Sequence, residues 1–464
     1  MNIVDSFLED TIGRARDECM FSHMLLFSRG IHSIAINGAW GTGKTFFIKH
    51  CKMILDSHNS TTHFEKSEEV TKNYERIMGK PVEREIFPPI VTAYYDAWKY
   101  DNSDDPIVSL IFSIIKDNSS NQNIGRTRDW LEILSSAIDC IPDMNITNLV
   151  KAIRGADLFE SLKREDKLRE KIYDFLESLL PERGNRLIVF VDELDRCSPL
   201  YAIKLLERIK HYFVSDKITF VFSINCFELE KAVKGYYGES FDSCRYLERF
   251  FDMKLELPPL NIDKFLNSIY VGYRGTIRDT ACSEIIKQMN MGMREASKLV
   301  FISRIATGKY TDTSDYRIGI MSRDDGVSNN VILGIVVPIA IGLNIVDFDA
   351  YRRFVTGKDS IWLKKIMASK ELNGWFSEYL LLKNESYKKC DNKVLVSEDD
   401  RIQQLYNFLF VESYKELDDI DHKIGKVTVN RYSKELIQKA LSLTSTYRDL
   451  GWCTEQEEAM GLDS

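Results

Sequence analysis

The sequence predicts an α/β protein: a parallel sheet with helices on both faces, followed by a mainly helical C-terminal domain. Over about residues 1–260, short apolar runs that end at glycine or acidic residues alternate with segments of helical spacing. This alternation is typical of a parallel sheet that is buried on both faces. From about residue 262 onward no strong strand pattern is present, and helical spacing prevails. We therefore expect a sheet domain over 1–260 and a helical lid with C-terminal helices over 261–464.

The elements of the sheet domain follow in order. Residues 1–30 have helical spacing, and five apolar runs then predict strands at Ile31–Ile36, Pro89–Asp96, Arg186–Val191, Ile218–Ile224 and Met253–Leu257. Helices are predicted between them at Thr45–Leu55, Pro106–Lys116 and Pro199–Phe213. Two polar stretches, about 56–88 and 117–180, are predicted to be helical insertions into this domain.

Composition and charge exclude several classes of protein. The chain has 464 residues and a net charge of −8, so no overall basic field indicates nucleic-acid binding. Its nine cysteines contain no C-x-x-C pair and its seven histidines are scattered, which indicates reduced thiols in a cytosol and no zinc site. The N-terminus lacks a secretory apolar region. The apolar segment Val331–Val346 is shorter than the roughly 20 residues that span a bilayer, so we expect a buried helix and a cytoplasmic protein.

The segment after the first strand carries the clearest motif. It fits the pattern G-x-x-x-x-G-K-[ST] with the residues Gly38, Ala39, Trp40, Gly41, Thr42, Gly43, Lys44 and Thr45. Glycines let the backbone approach a triphosphate, and the following helix contributes free N–H groups and its dipole. Lys44 is expected to reach the β- and γ-phosphates, and the Thr45 hydroxyl to bind Mg²⁺. The usual guanine-reading N-K-x-D motif is not evident, which favours ATP. The sheet is therefore predicted to be of the P-loop NTPase class.

Two acidic residues follow the most apolar strand. Asp192 and Glu193 come directly after Leu187–Val191, at the edge of the sheet where ligands of α/β proteins bind. We expect Asp192 to hold Mg²⁺ through water and Glu193 to act as the general base that polarises the attacking water. The alternative is that these residues only cap a helix. Asp195 and Arg196 are expected to pair with each other or to contact nucleotide or a partner.

Further polar residues follow the next strand. Ser223 and Asn225 end that strand beside the acidic one, and Asn225 is favoured as a sensor of the γ-phosphate, with a turn role as the alternative. Arg245 and Arg249 are candidates for an arginine finger that reaches a neighbouring subunit's nucleotide, with a surface salt bridge as the alternative. The aromatic rings of Trp40, Trp98 and Tyr100 are expected to pack rather than to stack on the base.

Four features together resemble the KAP family of P-loop NTPases over about residues 8–300. They are the loop with its tryptophan, the run Tyr95–Tyr100 followed by Asp105-Pro106, the run Val191–Cys197, and Tyr246–Phe250 before Leu257-Pro258. The resemblance implies an additional-strand P-loop core, with Asp192 for Mg²⁺ and Glu193 or a neighbour for water activation. It also suggests that Arg294 corresponds to a lid arginine that touches the γ-phosphate in related ATPases.

The resemblance also bears on biological context. Many members carry transmembrane helices inserted between the two nucleotide motifs, whereas the insertion here lacks apolar helices and looks like that of a soluble bacterial-type member. Several such members act in defence against phages, usually with partner proteins. Relatives often have lysine where this chain has Arg249, so the resemblance does not fix the role of that position.

Four functions are compatible with these residues. The first is a Mg²⁺-dependent ATPase that couples nucleotide state to conformational change, a protein partner or a homo-oligomer. The second is an ATP-binding scaffold that recruits an effector without appreciable turnover. An effector chemistry of its own in about 400–464 and a kinase activity are weaker alternatives, because no catalytic constellation or acceptor signature is visible.

Overall fold

Five parallel strands form a single sheet in the order β2-β3-β4-β1-β5. In the computed structural model of the protein they are β1 Ser33–Asn37, β2 Ile90–Asp96, β3 Arg186–Asp192, β4 Ile218–Ile224 and β5 Met253–Glu256. The described residues are 2–27, 30–59, 62, 64–79, 90–103, 105–119, 180, 185–213, 215–269, 276–311, 328, 331–373, 380, 398–412 and 422–442. Most of the predicted insertion at 117–180 lies outside them.

Helices cover both faces of this sheet, as the sequence predicts. The described helices up to residue 269 are α1 Ile3–Leu8, α2 Ala15–Phe27, α3 Lys44–Ser57, α4 Ser67–Met78, α5 Pro106–Ser119, α6 Pro199–Tyr212, α7 Cys226–Tyr237, α8 Ser243–Leu247 and α9 Ile262–Ile269, and those that pack on the sheet include α2, α3, α5 and α6. Because successive strand residues point to opposite faces, β3 contributes Leu187 and Val189 to the core beneath α5 and α6. The alternate residues Ile188 and Phe190 join the core beneath α2 and α3. Burial of each large apolar side chain contributes about 1.5–3 kcal/mol.

The N-terminal region differs from the single helical segment that the sequence predicts. Helices α1 and α2 are separate, because Asp10 and Gly13 adopt positive φ angles of 50° and 75° between them. Inside the predicted polar excursion after α3, helix α4 has an apolar side that buries Val70 and Tyr74. The N-terminal helices and α4 thereby form a small core of their own against α3.

The chain divides into two compact units, Met1–Lys264 and Phe265–Ser464. The second unit is mainly helical, as predicted, with α10 Ile277–Gln288, α11 Met293–Thr311, α12 Val337–Val346, α13 Phe348–Val355, α14 Ile361–Met367, α15 Glu398–Tyr406 and α16 Arg431–Ser442. A short antiparallel hairpin, β6 His422–Ile424 with β7 Val427–Val429, is an addition that the sequence pattern missed. Its strands have three residues each, too few for an alternating pattern to be visible.

The apolar segment at Val331–Val346 lies inside the second unit. A π-helical turn, Ile332–Val336, precedes α12, and every residue from 331 to 343 is buried. Pro338 lies in the first turn of α12, where the missing N–H leaves no helical bond unmade. This confirms the expected buried helix, and no described helix is both long and apolar enough to cross a bilayer.

Candidate functional site

The loop between β1 and α3 is held at the carboxyl end of the sheet. Its first residue, Gly38, donates its N–H to the carbonyl oxygen of Ile224 at the end of β4 at 3.1 Å. A Cβ atom on Gly38 would lie 3.0 Å from Thr42 Oγ1 and 3.2 Å from Leu257 Cβ, so a side chain there would require these neighbours to shift. Gly41 and Gly43 have φ angles of 79° and 89°, which L side chains rarely adopt. The loop geometry therefore favours glycine at all three positions of the motif.

The carbonyl groups of Gly38 and Ala39 accept hydrogen bonds from side chains of the same loop. Lys44 Nζ donates to the carbonyl oxygen of Gly38 at 2.6 Å and to that of Ala39 at 3.3 Å. Thr42 Oγ1 donates to the same Ala39 carbonyl at 2.7 Å. In the described part of the chain, nothing accepts a hydrogen bond from four loop N–H groups, those of Ala39, Trp40, Gly41 and Gly43.

Helix α3 begins at Lys44 without a side-chain cap, which leaves further N–H groups of its first turn without a side-chain acceptor. Thr45, in that first turn, is half-buried, and its hydroxyl has no hydrogen-bond partner among the described residues. Free N–H groups, a helix N-terminus and a lysine together form an anion site of the kind that holds phosphates.

Lys44 is buried close to the acidic segment that follows β3. Burial lowers the pKa of its ammonium group, and the nearby carboxylates of Asp195, Asp192 and Glu193 oppose that shift in this order of strength. The P-loop lysine and the acidic residues are thus brought into one electrostatic environment, although they are far apart in the sequence.

Asp192 is almost fully buried at the end of β3. Its Oδ2 atom accepts a hydrogen bond from the hydroxyl of Tyr94 at 2.9 Å, and its Oδ1 atom accepts the backbone N–H of Glu193 at 3.0 Å. Burial and this carboxylate together raise the pKa of Tyr94, so the phenol stays a hydrogen-bond donor. Tyr94, on the neighbouring strand β2, therefore orients the predicted metal ligand, a role that the sequence did not indicate.

Glu193 adopts a left-handed backbone conformation, with φ 59°. Its carboxylate forms an ion pair with the guanidinium group of Arg196, one turn further along a short 3₁₀ helix. Burial and the neighbouring Asp192 raise the pKa of Glu193, while Arg196 opposes the shift. The first of the two roles expected for Asp195 and Arg196, a pair with each other, is not formed, because the tight turn directs the arginine back to Glu193. Contact of either residue with nucleotide or a partner stays a prediction.

Asp195 bonds instead to the tryptophan of the loop. Trp40 Nε1 donates to Asp195 Oδ2 at 2.6 Å, although 51% of the Trp40 side chain is exposed. Trp98 is exposed as well, with the Arg196 guanidinium 5.6 Å from its ring centre. Trp98 is therefore not a core residue, and its packing between domains stays a prediction, whereas Tyr100 does stack on Tyr95 at 5.4 Å.

Arg14 is a loop contact that sequence reasoning missed. This buried residue donates from Nη1 to the carbonyl oxygen of Thr42 at 2.8 Å and from Nε to that of Pro259 at 3.4 Å. Burial lowers the pKa of Arg14 to about 10, against the attraction of Glu18 and Asp17. Arg14 thus links the loop to the segment after β5. No motif marks it, because its partners are backbone carbonyls.

The end of β4 carries the other predicted polar residues. Asn225 caps α7 through its Oδ1 atom, which accepts the N–H of Glu228 at 3.5 Å, and its amide nitrogen donates to no described residue. The fully buried Ser223 lies in register with Asp192, and its hydroxyl has no partner in the described part of the chain. The turn role foreseen as an alternative for Asn225 is therefore present, and its NH₂ group stays available.

The arginine candidates are all exposed. Arg245 and Arg249 lie on either side of the end of α8, and neither guanidinium group forms an ion pair with a described residue. Arg294 belongs to the second unit, in the first turn of α11, with its side chain exposed. Only Arg245 and Arg249 therefore belong to the same compact unit as the loop.

The residues present fit a magnesium nucleotide. Unbonded N–H groups and a lysine suit phosphate oxygens, and a threonine hydroxyl with a buried carboxylate suits Mg²⁺, which takes few protein ligands and keeps several waters. In the described part of the chain, no group of three His, Cys, Asp or Glu side chains comes together to hold a metal ion.

Comparisons with known proteins give one strong match. The KAP family P-loop domain matches residues 22–269, more than half of the chain. No curated protein matches. Among solved structures, the ORC2 protein of Aeropyrum pernix in its ADPNP–ADP complexes is 11% identical, covers 93% of this chain and 94% of its own, and has a TM-score of 0.31. PCH-2 of C. elegans is 10% identical, covers 74% of this chain and 68% of its own, and has a TM-score of 0.26.

At these TM-scores the two structural likenesses carry no weight for fold or function. The family match spans the sheet, the loop and the acidic segment, which are the parts whose geometry is described above. The chain belongs to the KAP family of P-loop NTPases.

Proposed function

We propose that this chain binds ATP with Mg²⁺ at Gly38–Thr45, hydrolyses it, and couples nucleotide state to conformational change or partner assembly. One observation carries the proposal: loop N–H groups without acceptors lie in the same electrostatic environment as Lys44 and three carboxylates. An anion site beside a carboxylate cluster suits a phosphate chain that brings its own cation.

The binding residues have distinct roles in this proposal. The loop N–H groups and Lys44 hold the β- and γ-phosphates, and the carbonyls of Gly38 and Ala39 keep the ammonium group in place. Thr45 and Asp192 hold Mg²⁺, with Tyr94 fixing the Asp192 carboxylate. Bound Mg²⁺ would neutralise charge on the transferring phosphoryl group.

Glu193 is the proposed general base. Its pKa is raised by burial and by Asp192, which makes it a better proton acceptor than an ordinary glutamate. The Arg196 ion pair must open, or turn, before the carboxylate can orient a water. Asn225, whose amide nitrogen is unused by described residues, is the proposed γ-phosphate contact.

The arginines extend the proposal beyond one compact unit. Arg249, with Arg245 as the neighbouring candidate, is exposed and unpaired in the described part of the chain, as a finger to a neighbouring subunit's nucleotide requires. Arg294 is the proposed γ-phosphate contact from the helical lid. Assembly with a protein partner or as a homo-oligomer, and a role in defence against phages, rest on the family resemblance alone. The proposed cytoplasmic location rests on the scattered cysteines.

The alternative is an ATP-binding scaffold without appreciable turnover, and one observation favours it. In this structure Glu193 is neutralised by Arg196, so the proposed base is held back. Arg196→Gln removes the cation but keeps a polar side chain. A faster basal turnover in this variant would favour a restrained hydrolase, and an unchanged absence of turnover would favour the scaffold.

The direct test measures phosphate release from the purified full chain with Mg·ATP. Glu193→Gln is expected to lower turnover by about 10²–10⁴-fold while ATP still binds, because only the general base is lost. Lys44→Ala is expected to weaken ATP binding about 100-fold and to abolish turnover, since a charge-assisted contact to phosphate is lost. Binding without turnover in the wild type, unchanged in Glu193→Gln, would contradict hydrolysis by this site.

A further inference from the structure

The acidic segment makes a second contact with the loop, outside the roles proposed for Asp192 and Glu193. Trp40 and Asp195 are 155 residues apart in sequence, yet the indole N–H donates to the Asp195 carboxylate at 2.6 Å. A hydrogen bond to a charged acceptor is stronger than one between neutral groups. The bond joins the third residue of the motif to the 3₁₀ turn that follows β3.

Asp195 is well placed to act on the loop. Only 8% of the residue is exposed, and its second oxygen, Oδ1, has no hydrogen-bond partner among the described residues. Arg196 is engaged with Glu193 and Trp98, so it does not neutralise Asp195. A buried carboxylate with one bonded oxygen relies strongly on that bond, because burial of an unsatisfied charge is costly.

The charge of Asp195 also reaches the P-loop lysine. Among the carboxylates that oppose the lowering of the Lys44 pKa, Asp195 has the largest influence, ahead of Asp192 and Glu193. One side chain therefore bonds to the loop through Trp40 and also acts electrostatically on Lys44.

We propose that Asp195 is a positioning residue, which pre-organises the phosphate loop for nucleotide through the indole N–H of Trp40. A loop already held in its binding conformation loses less conformational freedom when the ligand binds, so the contact strengthens affinity. The inference rests on the proposed nucleotide binding. It adds that Trp40 acts through the hydrogen bond of its indole N–H rather than through the stacking or packing of its aromatic ring.

A double-mutant cycle on nucleotide affinity tests this role. Trp40→Phe keeps an aromatic ring and removes the donor, Asp195→Ala removes the acceptor, and the double variant removes both. The probe is a fluorescent ATP analogue titrated, with Mg²⁺, into the full chain. Because removal of the Asp195 charge also alters phosphate affinity, only the coupling between the two changes reports on the bond.

We expect each single change to remove the same bond, so the second change costs no further affinity through that bond. The double variant should therefore bind the analogue about tenfold more tightly than the product of the two single effects predicts. Asp195→Asn keeps an acceptor oxygen, so its effect, unlike that of Asp195→Ala, should combine nearly independently with that of Trp40→Phe. Trp98→Phe is the matched control, because Trp98 is similarly exposed, at 56%, and does not bond to Asp195.

The outcomes separate this inference from the proposed function. If the wild type does not bind the analogue, the proposed function fails and the positioning role fails with it. If the wild type binds but the two changes multiply independently, or if Trp40→Phe has no effect, Asp195 does not position the loop and nucleotide binding stands. Equal effects of Trp40→Phe and Trp98→Phe would also overturn the role.

Discussion

The two ends of strand β4 each bury a hydroxyl group, but only one of the two is bonded. Thr219, near the amino end, donates to the carbonyl oxygen of Ile31 at 2.9 Å and accepts from Arg186 Nη2 at 2.8 Å. Ser223, near the carboxyl end, has no partner in the described part of the chain. Both residues are 0% exposed.

This difference extends across the sheet. At the amino ends of the strands, Asp252 accepts the backbone N–H groups of His32 and Ser33 at 2.8 and 3.0 Å, which fastens β5 to β1. At the carboxyl ends, loop N–H groups and one oxygen of Asp195 have no partner among the described residues. The bonded polar groups at the amino ends therefore stabilise the fold, whereas those at the carboxyl ends include several that a ligand can bond.

The largest effect on turnover is expected at Asp192, and it would sharpen the comparison between the two ends of the strands. Asp192→Asn removes the charge proposed to hold Mg²⁺, so turnover should fall by about 100-fold or more and need more Mg²⁺. The free energy of unfolding should change by less than about 1 kcal/mol, because asparagine can keep a hydrogen bond with Tyr94. Magnesium titrations of turnover and denaturant unfolding measure the two quantities.

Tyr94→Phe is the control for this change, because it removes the hydrogen bond and leaves the charge. It should cost turnover much less than Asp192→Asn does. A variant Asp192→Asn with normal magnesium dependence would remove Asp192 from the metal site.

An intermediate effect, on stability, is expected at Thr219 near the amino end of β4. Thr219→Val keeps the shape of the side chain and leaves the Arg186 and Ile31 groups without this partner. It should lower the free energy of unfolding by about 1–3 kcal/mol and leave nucleotide affinity unchanged. Denaturant unfolding and a nucleotide titration check this. A large loss of affinity with normal stability would reverse the proposed division between the two ends.

The smallest effect on stability is expected for Ser223→Ala. Because the hydroxyl group has no described partner, its removal should leave the free energy of unfolding unchanged or raise it by up to about 1 kcal/mol. Turnover should fall a few-fold if the hydroxyl group serves the bound nucleotide. A loss of stability as large as that of Thr219→Val would mean that Ser223 is a structural residue after all.

Sequence reasoning succeeded where chemistry demands a fixed spacing or a repeated pattern. The loop glycines are favoured by positive φ angles and close approach, so they form a readable motif. The five strands are buried runs, and their predicted positions agree with the structure to within about two residues.

Contacts between distant residues were harder to predict. Arg14 bonds to backbone carbonyls, which have no sequence identity to recognise, and the Trp40–Asp195 bond joins residues that only the fold brings together. The pairing of Arg196 with Glu193 depends on a left-handed residue and a single 3₁₀ turn. Such a short element is too small to produce a repeated sequence pattern. The two short strands of the C-terminal hairpin lacked a pattern for the same reason.

The most direct test of the division between the two ends is a calorimetric titration of Mg·ATP into three proteins. The wild type should bind ATP, Thr219→Val should bind it with the same affinity, and Lys44→Ala should bind it about 100-fold more weakly, since a charge-assisted contact to phosphate is lost. If Lys44→Ala bound ATP as tightly as the wild type, the loop at the carboxyl end of the sheet would not be the nucleotide site.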